Sequence, residues 1–464
     1  MARILLLLPT RTYRTADFLA AADRLGLEVV VGAERRNALE ALTDGGTLRV
    51  QLGEPARGAA TIERYAAEHP LVAVVGVDDG STLVAAEAAE RLGLPHNPVA
   101  AVERSRDKFR AREAFAAAGL PTPAFATYLA TLAPTELVAL AGRTRYPCVV
   151  KPLGRSGSQG VIRADDPLAF VTAFRRVAGI LGCEPDDRAD SDEPETSGQA
   201  HAPGTASPST APAPGAATPS PAPGTATPWT APGTATAPGS ARILVEDFIP
   251  GIEVALEGLL RGGTLEVLAI FDKPDPLDGP FFEETLYITP SRLGASQLRE
   301  VASAVAGATR ALGLLEGPIH AEVRLNPDGA WVLEVAARSI GGLCGRTLRF
   351  GAGVTLEELI LRHAAGLELP PHDRERAASG VLMLPIREAG RLREVRGQAR
   401  ARAVPGIVGL TITVPRGEAL VPLPEGDRYL GFLFARSATS DVVEAALRGA
   451  WSNLEVVVET DART

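Results

Sequence analysis

The sequence predicts an α/β protein in three parts: a parallel sheet covered by helices on both faces, a central α+β region, and a mainly β region at the C-terminal end. Three observations predict it. Short apolar runs alternate with helical patterns through residues 1–97. Strand patterns then dominate from about 242 to 335, with one long helical pattern among them. Between 184 and 241 the chain becomes first acidic and then a Pro/Ala/Gly/Thr tract, as in Ala211-Pro212-Ala213-Pro214-Gly215.

The elements follow in order. Residues 3–8 form a buried strand, 15–25 a helix and 28–31 a second strand; 57–68 is helical, 71–77 a strand, and 82–92 a helix stopped by Gly93 and Pro95. Uninterrupted apolar strands between helices mean a parallel sheet buried on both faces. Val77-Asp78-Asp79-Gly80-Ser81 falls at a strand's C-terminal end, where open α/β sheets bind ligands; a helix cap is the plainer reading. A helix precedes Gly119, with Lys108 near its N-terminus, an end that suits acids. A phosphate nearby would resolve that conflict. Another helix covers 167–181. The 184–241 tract has almost no aliphatic residue able to build a core and reads as a disordered insertion. Strands resume at 243–249, 254–260 and 265–271, a polar loop spans 272–284, and a helix spans 295–312. Residues 319–325 and 330–335 form a hairpin around Asn326-Pro327-Asp328-Gly329. A glycine-containing loop covers 338–345, and 356–365 is a helix. From 378 onward β structure is expected, with a late helix at 440–449 and a last strand at 454–459.

At 464 residues the chain has room for two or three domains. Its net charge of −9 argues against nucleic acid and against an anionic membrane surface. The apolar start, Ile4 to Leu8, is shorter than a signal-peptide core of ~7–15 residues, and no run approaches the ~18 residues of a membrane span. Cys148, Cys183 and Cys344 lack metal-type spacing and suit a reducing cytosol. A cytoplasmic protein is expected. Of 47 basic residues, only Lys108, Lys151 and Lys273 are lysine. Where arginine has taken nearly every generic role, a persisting lysine points to a need for its compact ammonium.

The stretch from Val149 to Val161 joins a β-branched run, Lys151, and a Gly/Ser/Arg loop. Glycines let backbone N–H groups approach an anion, lysine adds a point charge and serine adds hydroxyl donors. A polyphosphate is the natural ligand. No Lys-Ser or Lys-Thr follows the last glycine, so this is no Walker loop. A plain Gly/Ser hairpin with a solvated lysine is the other reading. Within the two strands of the hairpin, Glu322 and Glu334 are the only acids. A loop of three or five residues sets them directly across from each other on one face, and a loop of four on opposite faces. Facing carboxylates repel unless a cation lies between them, and Mg²⁺ takes one or two carboxylates plus phosphates. Arg338 follows within reach of the same phosphates. Between Glu246 and Glu253 lies an extended apolar piece whose backbone suits an adenine edge.

Taken together, these residues give a resemblance. Asp107-Lys108, Val150-Lys151-Pro152 with Gly154–Gly160, Val245-Glu246, Pro250-Gly251-Ile252-Glu253, His320-Ala321-Glu322-Val323 and Leu333 through Gly342 resemble the ATP-grasp carboxylate–amine ligases, and most of all the L-amino acid ligases. Residues 378–464, with Tyr429 through Arg436, look like the C-terminal domain of those ligases. The resemblance implies a Rossmann-like N-terminal domain over 1–97, an ATP-grasp α+β domain over 98–366 that carries the 184–241 insertion, and an L-amino-acid-ligase-like domain over 367–464. It implies ATP, Mg²⁺ or Mn²⁺, and small-molecule substrates, with a homodimer common among such enzymes. It implies that Lys108 and Lys151 hold ATP phosphates under a flap of Ser156, Gly157, Ser158 and Gly160. Glu246 with the backbone of Asp247 and Ile249 would hold adenine, and Glu253 ribose. Glu322 and Glu334 would bind metal. Arg338 and the amides near Gly341 would stabilise the phosphorylated intermediate, and Glu284 would lie near the substrate amine. Ala336 stands where many ATP-grasp enzymes have asparagine; the ligases most like this chain also favour a small residue there. The expected reaction is ATP-dependent amide or peptide bond formation between a carboxylate, such as an amino acid's, and an amine, releasing ADP and phosphate. A purine- or biotin-pathway type of ATP-grasp enzyme and a non-catalytic nucleotide-binding module are the alternatives.

Overall fold

The computed structural model describes residues 2–9, 12–35, 46–183, 241–351 and 353–459. The Pro/Ala/Gly/Thr tract at 184–240 lies outside these. The first layer is built as its apolar runs require. β1 (Arg3–Leu7), β2 (Glu28–Ala33), β3 (Thr47–Arg49) and β4 (Ala73–Gly76) form a sheet in the order β3-β2-β1-β4, with every pairing parallel. Helices α1 (Thr15–Arg24), α2 (Pro55–Glu68) and α3 (Asp79–Leu92) cover it. β3 is too short to show a pattern in sequence.

α4 (Val99–Arg106) and α5 (Lys108–Ala117) lead into the centre. Asp107 caps α5, its carboxylate accepting the N–H groups of Phe109 and Arg110. That acid offsets the unfavourable placing of Lys108 at a helix start. A small antiparallel sheet follows, made of β5 (Phe125–Leu129), β6 (Cys148–Pro152), β7 (Ile162–Ala164) and β8 (Arg242–Asp247), in the order β5-β8-β6-β7. It is backed by α6 (Pro134–Arg143) and α7 (Pro167–Ile180). β8 comes after the 184–240 tract, yet Val245 pairs with Val150. Cys183 and Ala241, on the two sides of the tract, pack on the same apolar cluster. The chain before and after the tract therefore builds one layer.

The second central sheet starts with β9 (Ile252–Arg261), β10 (Thr264–Asp272) and β11 (Leu286–Thr289). α8 (Ala295–Leu312) packs on its back, burying Val301, Val305, Ala308 and Leu312 with Phe115 of α5. β12 (Gly317–Asn326) and β13 (Gly329–Ala336) close one edge. The turn between them has two residues, Pro327 and Asp328, a length outside those considered from sequence. A β-bulge at Leu333 supplies the extra residue, so that Val323 pairs with Val332 while Glu322 pairs with Glu334. The two glutamates thus come opposite each other, by a bulge rather than by the length of the loop.

After α9 (Leu356–Ala364) the chain forms β14 (Ala378–Leu384), β15 (Gly390–Arg396), α10 (Gln398–Arg402), β16 (Ile407–Ile412), β17 (Ala419–Leu420), β18 (Gly431–Ser437), α11 (Ser440–Trp451) and β19 (Glu455–Glu459). β14 pairs with β11, so one sheet of eight strands runs β13-β12-β9-β10-β11-β14-β18-β16. It combines strands from both sides of residue 366, where the resemblance implied a boundary between two domains. β15, β17 and β19 make a separate small sheet. Among the described residues no helix is long and apolar enough to cross a membrane.

Candidate active site

Two sheets face each other across a cavity of about 570 Å³, within the usual range for small-molecule sites. Of the site residues expected from sequence, all but Gly160 line it, and of the three lysines Lys108 and Lys151 do so while Lys273 stands behind its carboxylates. β6 and β8 of the small sheet bring Lys151 and Glu246. The loop after β6 brings Ser156, Gly157 and Ser158. Strands β9, β12 and β13 of the large sheet bring Glu253, Glu322 and Glu334. Arg338 and Gly341 follow β13, and Glu284 precedes β11. The N-terminal layer adds Asp78 and Asp79 after β4, and the C-terminal region adds Met383 of β14 and Tyr429 of the loop before β18.

Lys108 is nearly buried; its Nζ donates to the Arg155 carbonyl at 2.6 Å and lies 3.2 Å from Glu334 Oε2. It joins the flap on one side to the proposed metal strand on the other. Gly160 does not line the cavity; its N–H donates to the Pro424 carbonyl at 2.9 Å. Its φ of +73° and a Cβ position 3.1 Å from Pro152 leave room only for glycine. The Gln159 amide donates to the Glu425 carbonyl at 2.8 Å, and Arg176 clasps the Glu425 carboxylate at 2.5 and 2.8 Å. The flap is thereby tied to the C-terminal loop between β17 and β18.

Glu246 is enclosed between two cations. Lys151 Nζ donates to Oε1 at 2.5 Å, and Arg112 donates through Nε and Nη2 at 2.9 and 3.2 Å. Burial alone would push Glu246 up, but Arg112 and then Lys151 outweigh it and bring its pKa down to about 2. Burial also lowers Lys151, with Glu246 opposing it. The Glu246 side chain is thus spent on Lys151 and Arg112, which leaves the adjoining strand edge at Asp247 and Ile249 as the surface presented to a ligand. One Asp247 oxygen, Oδ1, is buried with no hydrogen-bond partner.

A third cluster surrounds Lys273. Its Nζ lies 2.7 Å from Glu253, 2.5 Å from Glu284 and 3.5 Å from Glu322. Those three carboxylates offer oxygens within 4.8 Å of one another, a metal-like grouping, but an ammonium already stands among them. Glu284 is raised to about 7, by burial and then by Glu322, and Tyr287 donates its hydroxyl to it at 2.8 Å. Glu322 is held well below the usual carboxylate range, Lys273 and His320 overcoming its burial. Arg324 donates to Glu253 at 3.0 Å and to the Ile249 carbonyl at 2.7 Å. The ribose residue expected from sequence, Glu253, is accordingly braced by Lys273 and Arg324. Glu334 does not join this group; its partner is Lys108. Beneath the cluster, the wholly buried Glu257 accepts from Ile340 N–H at 3.0 Å and meets His320 Nδ1 at 3.2 Å, which anchors the loop after β13.

Arg338 pairs with Asp79 at 2.7 Å. The capping reading of the Asp78–Ser81 stretch holds for Ser81, whose hydroxyl accepts the Asp78 N–H at 3.3 Å; the neighbouring Asp79 instead orients Arg338. Sequence reading also passed over Arg112, Arg324 and Glu257. Each had a positional signal. Arg112 is four residues after Lys108 on a helix, and Arg324 and Glu257 lie at even spacing from Glu322 and Glu253 on strands. The abundance of arginine hid the first two.

Can these residues hold a nucleotide and a metal? The donor set fits: two buried lysines and a Gly/Ser loop on one wall, and two cross-strand carboxylates on the other. Residues 225–347 match the ATP-grasp domain family, 19–96 the ATP-grasp N-terminal domain, and 382–459 the L-amino acid ligase C-terminal domain 2. The chain thus carries the domains found in ATP-grasp ligases. Its fold is similar to that in the crystal structure of L-amino acid ligase from Bacillus licheniformis, with a TM-score of 0.75 at 24% identity over 99% of each chain. Its sequence is 27% identical to D-alanine–D-alanine ligase of Gloeobacter violaceus over 58% of this chain and 72% of that one. It is 31% identical to alanine–anticapsin ligase of Bacillus subtilis over 23% of this chain and 22% of that one.

Proposed function

We propose that this protein joins an amino acid carboxylate to an amine, using ATP and passing through an acyl phosphate. A carboxylate oxygen attacks the γ-phosphorus, the bond to the β-phosphate oxygen breaks, and ADP leaves. The amine nitrogen then attacks the acyl carbon, the C–O bond to phosphate breaks, and phosphate leaves as the nitrogen loses its proton. Phosphoryl transfer of this kind needs positioning and charge neutralisation more than covalent help from the protein.

The observation that carries this reading is the single cavity in which Lys108 and Lys151 face Glu322 and Glu334, with Arg338 at its rim. Lys108 and Lys151 bind phosphate oxygens, and the flap over them excludes water that would hydrolyse the acyl phosphate. The edge at Asp247 and Ile249 takes adenine, with Glu246 holding Lys151 rather than the base. Glu253, kept in place by Arg324, takes ribose hydroxyls. Arg338 neutralises the phosphoryl oxygens, and Asp79 keeps its guanidinium aimed at them. Glu322 and Glu334 would hold Mg²⁺, which when bound supplies Lewis-acid neutralisation of phosphate charge. Glu284 accepts the substrate ammonium. Three free thiols suit a reducing, cytosolic setting. The test is release of ADP and phosphate from ATP that depends on supplying an amino acid and an amine together, with the product identified by mass. Turnover indifferent to every amino acid and amine would reject the ligase reading.

A further inference from the structure

The cavity continues past Glu284 onto a surface that the nucleotide chemistry does not use. Cys344 Sγ lies 3.7 Å from Met383 Sδ. The Phe432 ring packs edge-on against Tyr13, at 5.6 Å between centroids, and against Tyr429, at 6.2 Å. Gly342 joins the two groups. It has φ +59°, and a Cβ there would meet Phe432 at 2.8 Å and the Cys344 sulfur at 3.8 Å, so glycine keeps this wall open. Tyr13 comes from the N-terminal layer, Gly342 and Cys344 from the loop after Arg338, Met383 and Phe432 from strands β14 and β18, and Tyr429 from the loop before β18. All but Phe432 line the cavity, and Phe432 backs them. Met383 is the chain's one methionine apart from Met1. Glu284 lines the same cavity as Cys344 and Tyr429, and after burial its charge raises the Cys344 thiol and the Tyr429 hydroxyl.

This arrangement brings together three chemical functions. Arg338, Glu284 and the apolar surface of Cys344, Met383 and Tyr429 all line the one cavity. We propose that the carboxylate substrate is an α-amino acid with an uncharged apolar side chain of the size of leucine, methionine or phenylalanine, seated on Cys344, Met383 and Tyr429. The proposal rests on the ligase reading and names the donor for it. Such an amino acid sets its carboxylate toward Arg338 and its ammonium on Glu284, and its side chain then falls against the apolar surface; of the arginines that also line the cavity, Arg14 is already engaged with Ser339, the Val77 carbonyl and Glu357, and Arg428 with Glu418. A thioether and a thiol make an adaptable, polarisable floor, while an ionised side chain there would lose its hydration without a partner.

The experiment measures phosphate release from ATP by the full-length protein. One fixed acceptor, glycine amide, is offered with leucine, methionine, phenylalanine, glycine, aspartate or lysine as donor, and mass spectrometry identifies the N-terminal residue of the product. The expected kcat/KM for the apolar donors exceeds that for glycine, aspartate and lysine by roughly tenfold or more, the scale set by a few methylenes in an apolar pocket. Met383→Ala should move the preference toward phenylalanine without changing the KM for ATP, and Cys344→Ala should move it the same way. A preference for aspartate, lysine or glycine would overturn the proposal and leave the ligase reading intact. So would a donor profile unchanged in both variants. Absence of turnover with every donor would overturn the two together.

Discussion

Arg112→Met removes a guanidinium while keeping most of its volume. In the native chain Arg112 is 1% exposed and donates to both oxygens of Glu246 and to the carbonyls of Val332 and Leu333, at 3.2 and 2.9 Å. Glu246 falls from 4.5 to about 2 against its own burial, equivalent to about 3 kcal/mol net in favour of the charged form. Arg112 is the larger contributor of its two cations, so about 2 kcal/mol goes with it. The two carbonyl bonds add about 1 kcal/mol each. The sum, about 4 kcal/mol, matches the ~3–5 kcal/mol for breaking one side of a buried ion pair. In thermal unfolding of the apo protein the transition should fall by roughly 5 °C or more. Arg112→Lys keeps the charge but cannot reach Glu246 and two carbonyls at once. It should recover much of the thermal loss yet leave kcat depressed at least tenfold, because the carbonyls it abandons flank the bulge that registers Glu334. A melting temperature unchanged in Arg112→Met would refute the view that Arg112 compensates a buried charge. Full activity in Arg112→Lys would refute its role in setting Glu334.

The depressed pKa of Glu246 predicts that its stabilisation is complete above about pH 4.5 and is lost as pH falls toward about 2; acid unfolding of Glu246→Gln should show a shallower pH dependence across that window. Glu334→Gln should abolish turnover, leave the melting temperature within a few degrees of wild type, and remove the Mg²⁺ dependence of nucleotide binding; normal activity would sink its metal role. Replacing residues 184–240 with a short Gly/Ser linker should leave folding and kcat essentially unchanged, since Cys183 and Ala241 pack on one cluster; failure to fold would show that the tract belongs to the structure.

The parallel first layer was legible because β1, β2 and β4 are continuous apolar runs between helices, a pattern with few other solutions. The three lysines were legible through their rarity: Lys108 and Lys151 line the cavity, and Lys273 joins three of its carboxylates. The facing of Glu322 and Glu334 was legible only as a condition, because a bulge at Leu333 is a one-residue feature with no pattern of its own. What side chains do for one another was not legible. Glu246 and Glu253 announced themselves as ligands, but the partners that brace them, Arg112 and Arg324, look like any other arginine in a chain that uses arginine everywhere. The continuity of the large sheet across residue 366 was hidden for a different reason. The pairing of β11 with β14 joins strands nearly a hundred residues apart, and nothing local in either marks the other as its neighbour.

The loop between β17 and β18 touches two things at once. Pro424 and Glu425 hold Gly160 and Gln159 of the flap, and Tyr429, a few residues on, walls the amino acid pocket. One short segment therefore has a grip on the nucleotide cover and on the substrate wall. With the donor seated as proposed, a side chain that displaced Tyr429 would pull on the same strap that holds the flap, and would so link donor fit to the nucleotide cover. Exchanging this loop between related enzymes would then carry over two traits as a pair, the choice of donor and the tightness with which ATP is held, and breeding one without the other would require cutting the strap between Glu425 and Tyr429.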